Sequence, residues 1–117
     1  MKENREIFQN LLNHVLIKEY PFIKHVEVYR LRELFSVFSV DINLIVDIDF
    51  IEEHVDRSCY DQMDDIFFAL YSFNSCSDIK IDEKKLKSDL LSLYKMVIVP
   101  NQSLYHINAE ISIIGVE

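Results

Sequence analysis

From Leu34 to Phe50 apolar residues fall on every second position. Leu34, Phe38, Val40, Ile42, Leu44, Val46, Ile48 and Phe50 hold the even positions, with Ser36 interrupting once, and Ser39, Asp41, Asn43, Asp47 and Asp49 hold odd ones. Side chains alternate between the two faces of a strand, so this pattern requires one buried face and one wet face. That arrangement is typical of antiparallel sheet covered on one side. Seventeen residues is long for one strand and predicts a bulge or bend inside the run.

The segments around it read differently. Ile7, Phe8, Leu11, Leu12, Val15, Leu16 and Tyr20 recur at helical spacing, and Pro21 ends that helix. Gln9, Asn10, Asn13, His14 and Lys18 fill its opposite side. Lys24 to Arg30 reads as a strand, joined to the long alternating run near Leu31-Arg32-Glu33. Residues 51–57 suit a separate helical turn. Ser58 and Asp61 suggest a capping box before an apolar stripe of Cys59, Met63, Ile66, Phe67, Leu70 and Tyr71. Asn74 to Asp78 reads as a loop, and Asp82 as the N-cap of a helix burying Leu86, Leu90, Leu91 and Tyr94. Met96 to Val99 reads as a strand, followed by a turn at Pro100-Asn101-Gln102. The last strand would bury Tyr105, Ile107, Ala109, Ile111 and Ile113 and expose His106, Asn108, Glu110 and Ser112.

The expected order is α-β-β-α-α-β-β: an α+β, two-layer domain over residues 1–117. Its four-stranded antiparallel sheet of two hairpins would be covered by about three helices. Half of the 117 residues are apolar, enough for a core without staples. Cys59 and Cys76 are expected as free thiols packed like small apolar groups. The polar opening Met1 to Glu6 lacks the apolar run of a signal peptide, and no stretch is apolar enough to span a bilayer. A cytoplasmic protein, or a virion component if virus-encoded, is the expectation.

The formal charge of −8 is concentrated. Asp41, Asp47, Asp49, Glu52, Glu53, Asp56, Asp61, Asp64 and Asp65 lie in one stretch whose single base is Arg57, and the rest of the chain balances. Such a field repels nucleic acid and attracts basic partners. Lys18, Lys24, Arg30 and Arg32, with Tyr20, Phe22 and Tyr29 among them, form a candidate basic surface, diluted by Glu19 and Glu27. It suits a charge-complementary contact with another copy better than it suits nucleic acid.

Chemistry is sparse. The one glycine, Gly115, excludes dinucleotide fingerprints, Walker-type loops and the G-x-S-x-G elbow. On a strand Asp47 and Asp49 would point the same way and could share a divalent cation. Val46-Asp47-Ile48-Asp49-Phe50 superficially resembles the two-aspartate strand of nucleotidyltransferases, over five residues and without the Gly-Ser turn that precedes it there. His106 and Glu110 share the wet parity of the last strand and could add ligands if that strand lay beside the Asp47 strand. His14, His25 and His54 have no metal-ligand spacing, and acids around Cys59 work against a thiolate. No cofactor, metal or catalytic residue is expected.

Three readings follow. The first is a non-enzymatic protein–protein interaction or assembly protein, acting through Asp41, Asp47, Asp49, Glu52, Glu53 and Asp56 on one side and Lys18, Lys24, Arg30 and Arg32 on the other. Its partner would be a protein with a basic surface or other copies of itself. The Ile, Asn, Lys and Tyr usage suits an AT-rich genome, as many viruses and the Firmicutes or Bacteroidetes have. The helix-first, two-hairpin layout loosely resembles small phage connector or tail-completion proteins. The second reading is an acidic inhibitor, such as an immunity protein, antitoxin or nucleic-acid mimic. The third is a metal-dependent enzyme built on Asp47 and Asp49.

Overall fold

The computed structural model describes residues 3–60, 66–100 and 103–117. Helix α1 (Asn4–Glu19) leads into strands β1 (Ile23–Leu34) and β2 (Val37–Asp47), then α2 (Ile48–His54) and a 3-10 turn (Arg57–Cys59). Strand β3 (Ile66–Ala69), helices α3 (Leu70–Cys76) and α4 (Glu83–Val97) and strand β4 (His106–Val116) complete the order. Among the described residues the fold is α+β, one four-stranded sheet with four helices. The sheet order is β1-β2-β4-β3.

The sheet is mixed rather than purely antiparallel. β1 and β2 form the expected hairpin, β4 runs parallel to β2, and β3 is antiparallel to β4. The second hairpin is absent because Met96 and Val97 continue α4, whose end is tied by the Ile98 N–H to the Tyr94 carbonyl at 2.9 Å. The fourth strand lies instead at Ile66–Ala69, inside the stretch expected to be helical. Ile66 and Phe68 are buried there while Phe67 and Ala69 are exposed, a period of two. Ser58 belongs to the 3-10 turn capped by Asp56, and α3 occupies most of the expected 74–78 loop. Asp61, Met63, Asp64 and Asp65, and the Asn101-Gln102 turn, lie outside the described residues.

The long alternating run divides at Ser36, its one polar interruption. Leu34 pairs with Val37 around a two-residue turn at Phe35-Ser36, later than the expected connection at Leu31–Glu33. Beyond the turn Phe38, Val40, Ile42, Leu44 and Val46 are buried completely. The strand stops at Asp47 because its carboxylate accepts the Asp49 N–H at 3.0 Å and starts α2. Phe50, now helical, stacks on Phe22 with ring centroids 4.5 Å apart.

Helices α1 and α4 cover one sheet face with residues four apart: Phe8, Leu12 and Leu16, and Leu86, Leu90 and Tyr94. Phe8, Phe38 and Tyr94 form one aromatic cluster, and the Tyr94 hydroxyl donates to Glu33. Lys85 joins the helices, reaching Glu19 of α1 at 2.6 Å and Asp89 at 2.8 Å. α2 sends Ile51 into the core at Gly115, where an added Cβ would stand 2.7 Å from Ile51 Cδ1. Among the described residues no helix is long and apolar enough to cross a membrane.

α1 also covers the outer edge of β1 at Val26 and Val28. Val26 exchanges two hydrogen bonds with the Asn13 side chain, the Val28 N–H donates to Gln9 Oε1 at 2.9 Å, and Arg5 Nη1 donates to the Val28 carbonyl at 2.9 Å. Arg5, Gln9 and Asn13 sit four residues apart, so one helical row supplies what a neighbouring strand would supply.

Candidate functional site

The uncovered face of the sheet carries the wet parity of every strand. Register places Arg30, Asp41 and Glu110 in one row across β1, β2 and β4, and Arg32, Ser39 and Asn108 in the next. These six residues line a shallow depression of about 260 Å³. Arg30 Nη1 lies 3.8 Å from Asp41, and Asn43 Nδ2 donates to Glu27 at 3.2 Å one row further on. Tyr29 is the extra residue where the β1–β2 register shifts. Partial burial pushes its phenol pKa up, and the carboxylates of Asp41 and Glu110 add to that.

The candidate acids do not form one surface. Asp41 lies in the middle of the open face, six residues and roughly 20 Å along β2 from Asp47. Asp47 and Asp56 cap α2 and the 3-10 turn, so their carboxylates serve the backbone. Asp49, Glu52 and Glu53 lie on α2, with Glu52 and Glu53 turned outward. The Asp56 carboxyl is held below its usual pKa, first by the Ser58 N–H and then by the Ser58 hydroxyl.

The basic candidates also separate. Lys24 stands near the start of β1, which pairs with the end of β2 that leads into α2. Arg30 and Arg32 lie roughly 20–26 Å further along the strand. Lys18 sits on α1, 3.3 Å from the His14 ring.

The strand geometry behind the Asp47–Asp49 metal reading is replaced by a helix cap. β4 does run beside β2, yet its Glu110 faces Asp41, and Val116 faces Asp47. Glu110 is therefore six register positions, roughly 20 Å, from Asp47. Among the described residues no three His, Cys, Asp or Glu side chains are grouped to hold a metal ion. Cys59 is exposed rather than packed, and the half-buried Cys76 has its thiol pKa raised, chiefly by a hydrogen bond with Cys59.

Two features were not singled out from the sequence. Phe35, at the tip of the β1–β2 hairpin, is 91% exposed and has φ of 56°. Leu34 and Tyr105 are exposed beside it, and the Tyr105 N–H donates to the Ser36 carbonyl at 3.0 Å. Its sequence signal was Ser36, the break in parity, which marks a turn. The second feature is a groove of about 350 Å³ at the junction of β3, β4 and α3, bordered by exposed Phe67 and Tyr71. Comparison with protein-family models, curated proteins and solved structures finds no match to this chain.

Proposed function

We infer that this chain is a non-enzymatic assembly protein that associates with copies of itself, and that the end of the sheet at Phe35 is a contact surface. The observation that carries this reading is the conformation of Phe35. A positive φ costs a residue with a Cβ roughly 1–2 kcal/mol, and glycine would remove that strain. A large apolar ring turned wholly to water contributes nothing to the core to offset it. Strain combined with exposure points to contacts outside the fold.

Light scattering over a range of concentrations tests this with wild type and Phe35→Gly. Wild type should exceed the 13.9 kDa of one chain. Phe35→Gly should associate less while melting no lower. A wild type that stays at one chain's mass, or a variant that associates as strongly, overturns the reading.

The outward Glu52 and Glu53 of α2 favour a second reading, the acidic inhibitor of a basic protein. Its signature is binding to a basic protein that weakens with salt and with Glu52→Lys/Glu53→Lys, but not with Phe35→Gly.

A further inference from the structure

Strand β4 is eleven residues long, and β2 pairs with all of it on one side. On the other side β3 pairs only with Ser112 to Gly115. From His106 to Ile111 that edge therefore has no strand beside it among the described residues. Burial records the gap. On the core face Phe38 and Val40 of β2 are buried completely, whereas their β4 neighbours Ile107 and Ala109 are only half-buried. The groove sits where β3 gives out, walled by Ala69, Tyr71, Glu83, Ala109 and Ile111. An unpaired edge of this length is a template for another strand.

The residue pattern of the edge selects which strand. When two copies of β4 lie antiparallel about Asn108, His106 of each faces Glu110 of the other. Ile107 faces Ala109, and Asn108 faces itself. No like charges meet, the apolar parity of both strands stays on the core side, and the polar parity stays on the open face. Residues directly opposite in such a pair have Cβ atoms roughly 5 Å apart, close enough for the ring and the carboxylate to interact. The length matches as well. β4 starts at His106, so the incoming strand ends where Ala69 blocks the edge, and the preceding Tyr105 arrives opposite Ile111 in the groove. Tyr105, 66% exposed, would meet Tyr71, 76% exposed, and both would lose water. On the opposite edge of the sheet, Arg5, Gln9 and Asn13 occupy the backbone groups of Val26 and Val28.

We propose that two copies of this chain pair β4 to β4 antiparallel about Asn108, with Tyr105 of each copy seated in the β3–β4–α3 groove of the other. The two sheets then join into one eight-stranded sheet with a twofold axis at Asn108. This rests on the association reading above and names a second surface, the β4 edge, which meets the Phe35 end of the sheet at Tyr105.

Charge exchange tests it. His106→Glu sets two carboxylates against each other in both facing pairs, and Glu110→Lys removes the acid from both. Each variant alone should dimerise roughly tenfold or more weakly than wild type in sedimentation equilibrium. An equimolar mixture of the two variants restores both pairs and should recover the dimer, which also controls for misfolding. Hydrogen exchange at residues 107–111 should slow as wild-type concentration rises. Single variants that dimerise like wild type, or a mixture that recovers nothing, overturn the pairing. Association that Phe35→Gly weakens and His106→Glu leaves intact overturns the pairing alone and leaves the broader reading standing. A wild type that never dimerises overturns both.

Discussion

Asn13 binds the backbone of Val26 twice: its Nδ2 donates to the Val26 carbonyl at 2.7 Å, and its Oδ1 accepts the Val26 N–H at 2.8 Å. A primary amide has the donor and acceptor spacing of a peptide group, so this side chain stands in for a residue of a neighbouring strand. Asn13→Ala should lower stability by about 1–3 kcal/mol, since both Val26 groups lose their protein partner. Urea denaturation reads this as a lower midpoint with unchanged slope. Turbidity should also rise, because the β1 edge opens. An unchanged midpoint would mean that water replaces the amide without cost.

Asp47 gives a sharper contrast. As an N-cap it needs a side-chain oxygen and no charge, so Asp47→Asn should change stability little. Asp47→Ala should cost about 0.5–2 kcal/mol. If Asn were as damaging as Ala, the carboxylate would have a role beyond the cap.

Gly115 tests the packing under α2. A Cβ there would stand 2.7 Å from Ile51 Cδ1 and 3.3 Å from Ile66 Cβ. Gly115→Ala should destabilise by about 1–3 kcal/mol through overpacking. Ile51→Val removes the nearer methyl, so the double variant should recover part of that loss. Additive losses in thermal melts would count against this contact as the cause.

The Asp56 cap carries a pH signature. Its carboxyl pKa lies below the usual carboxylate value in the folded chain because the Ser58 N–H, and then the Ser58 hydroxyl, bind the ionised form. A depressed folded pKa contributes stability that is present above the unfolded value. That contribution is lost as pH falls through the folded value. Ser58→Ala removes the hydroxyl and leaves the N–H, so a carboxyl titration followed by NMR should move partway back toward the usual value. A titration unmoved by the variant would leave the backbone contact as the whole cause.

Much of the framework was legible where one period dominates. The alternation from Phe38 to Val46, the α1 stripe and the Asp82-capped α4 follow directly from spacing, whereas the ends of the long run at Ser36 and Asp47 do not. Ile66-Phe67-Phe68-Ala69 suits helix and strand alike, because a short apolar run satisfies both periods, and the burial of Ile66 and Phe68 decides for the strand. The β-branched residues of Met96 to Val99 suit a strand, while Met96 and Val97 stand where α4 can continue and do so. The parallel β2–β4 register joins residues about seventy apart, and nothing local encodes that. At the site, the row Arg30–Asp41–Glu110 needs this register before it exists. The row Arg5, Gln9, Asn13 was visible as a spacing of four, yet polar residues on one side of a helix suggest water, not a strand edge.

The placement of β4 between β2 and β3 also orders events at the ribosome. Synthesis delivers both neighbours before the strand that joins them, so the β1–β2 hairpin and β3 must wait with bare flanks for the central piece. Chains in which β4 is not yet available should therefore stay bound by holding chaperones, and release should require residues 106–116.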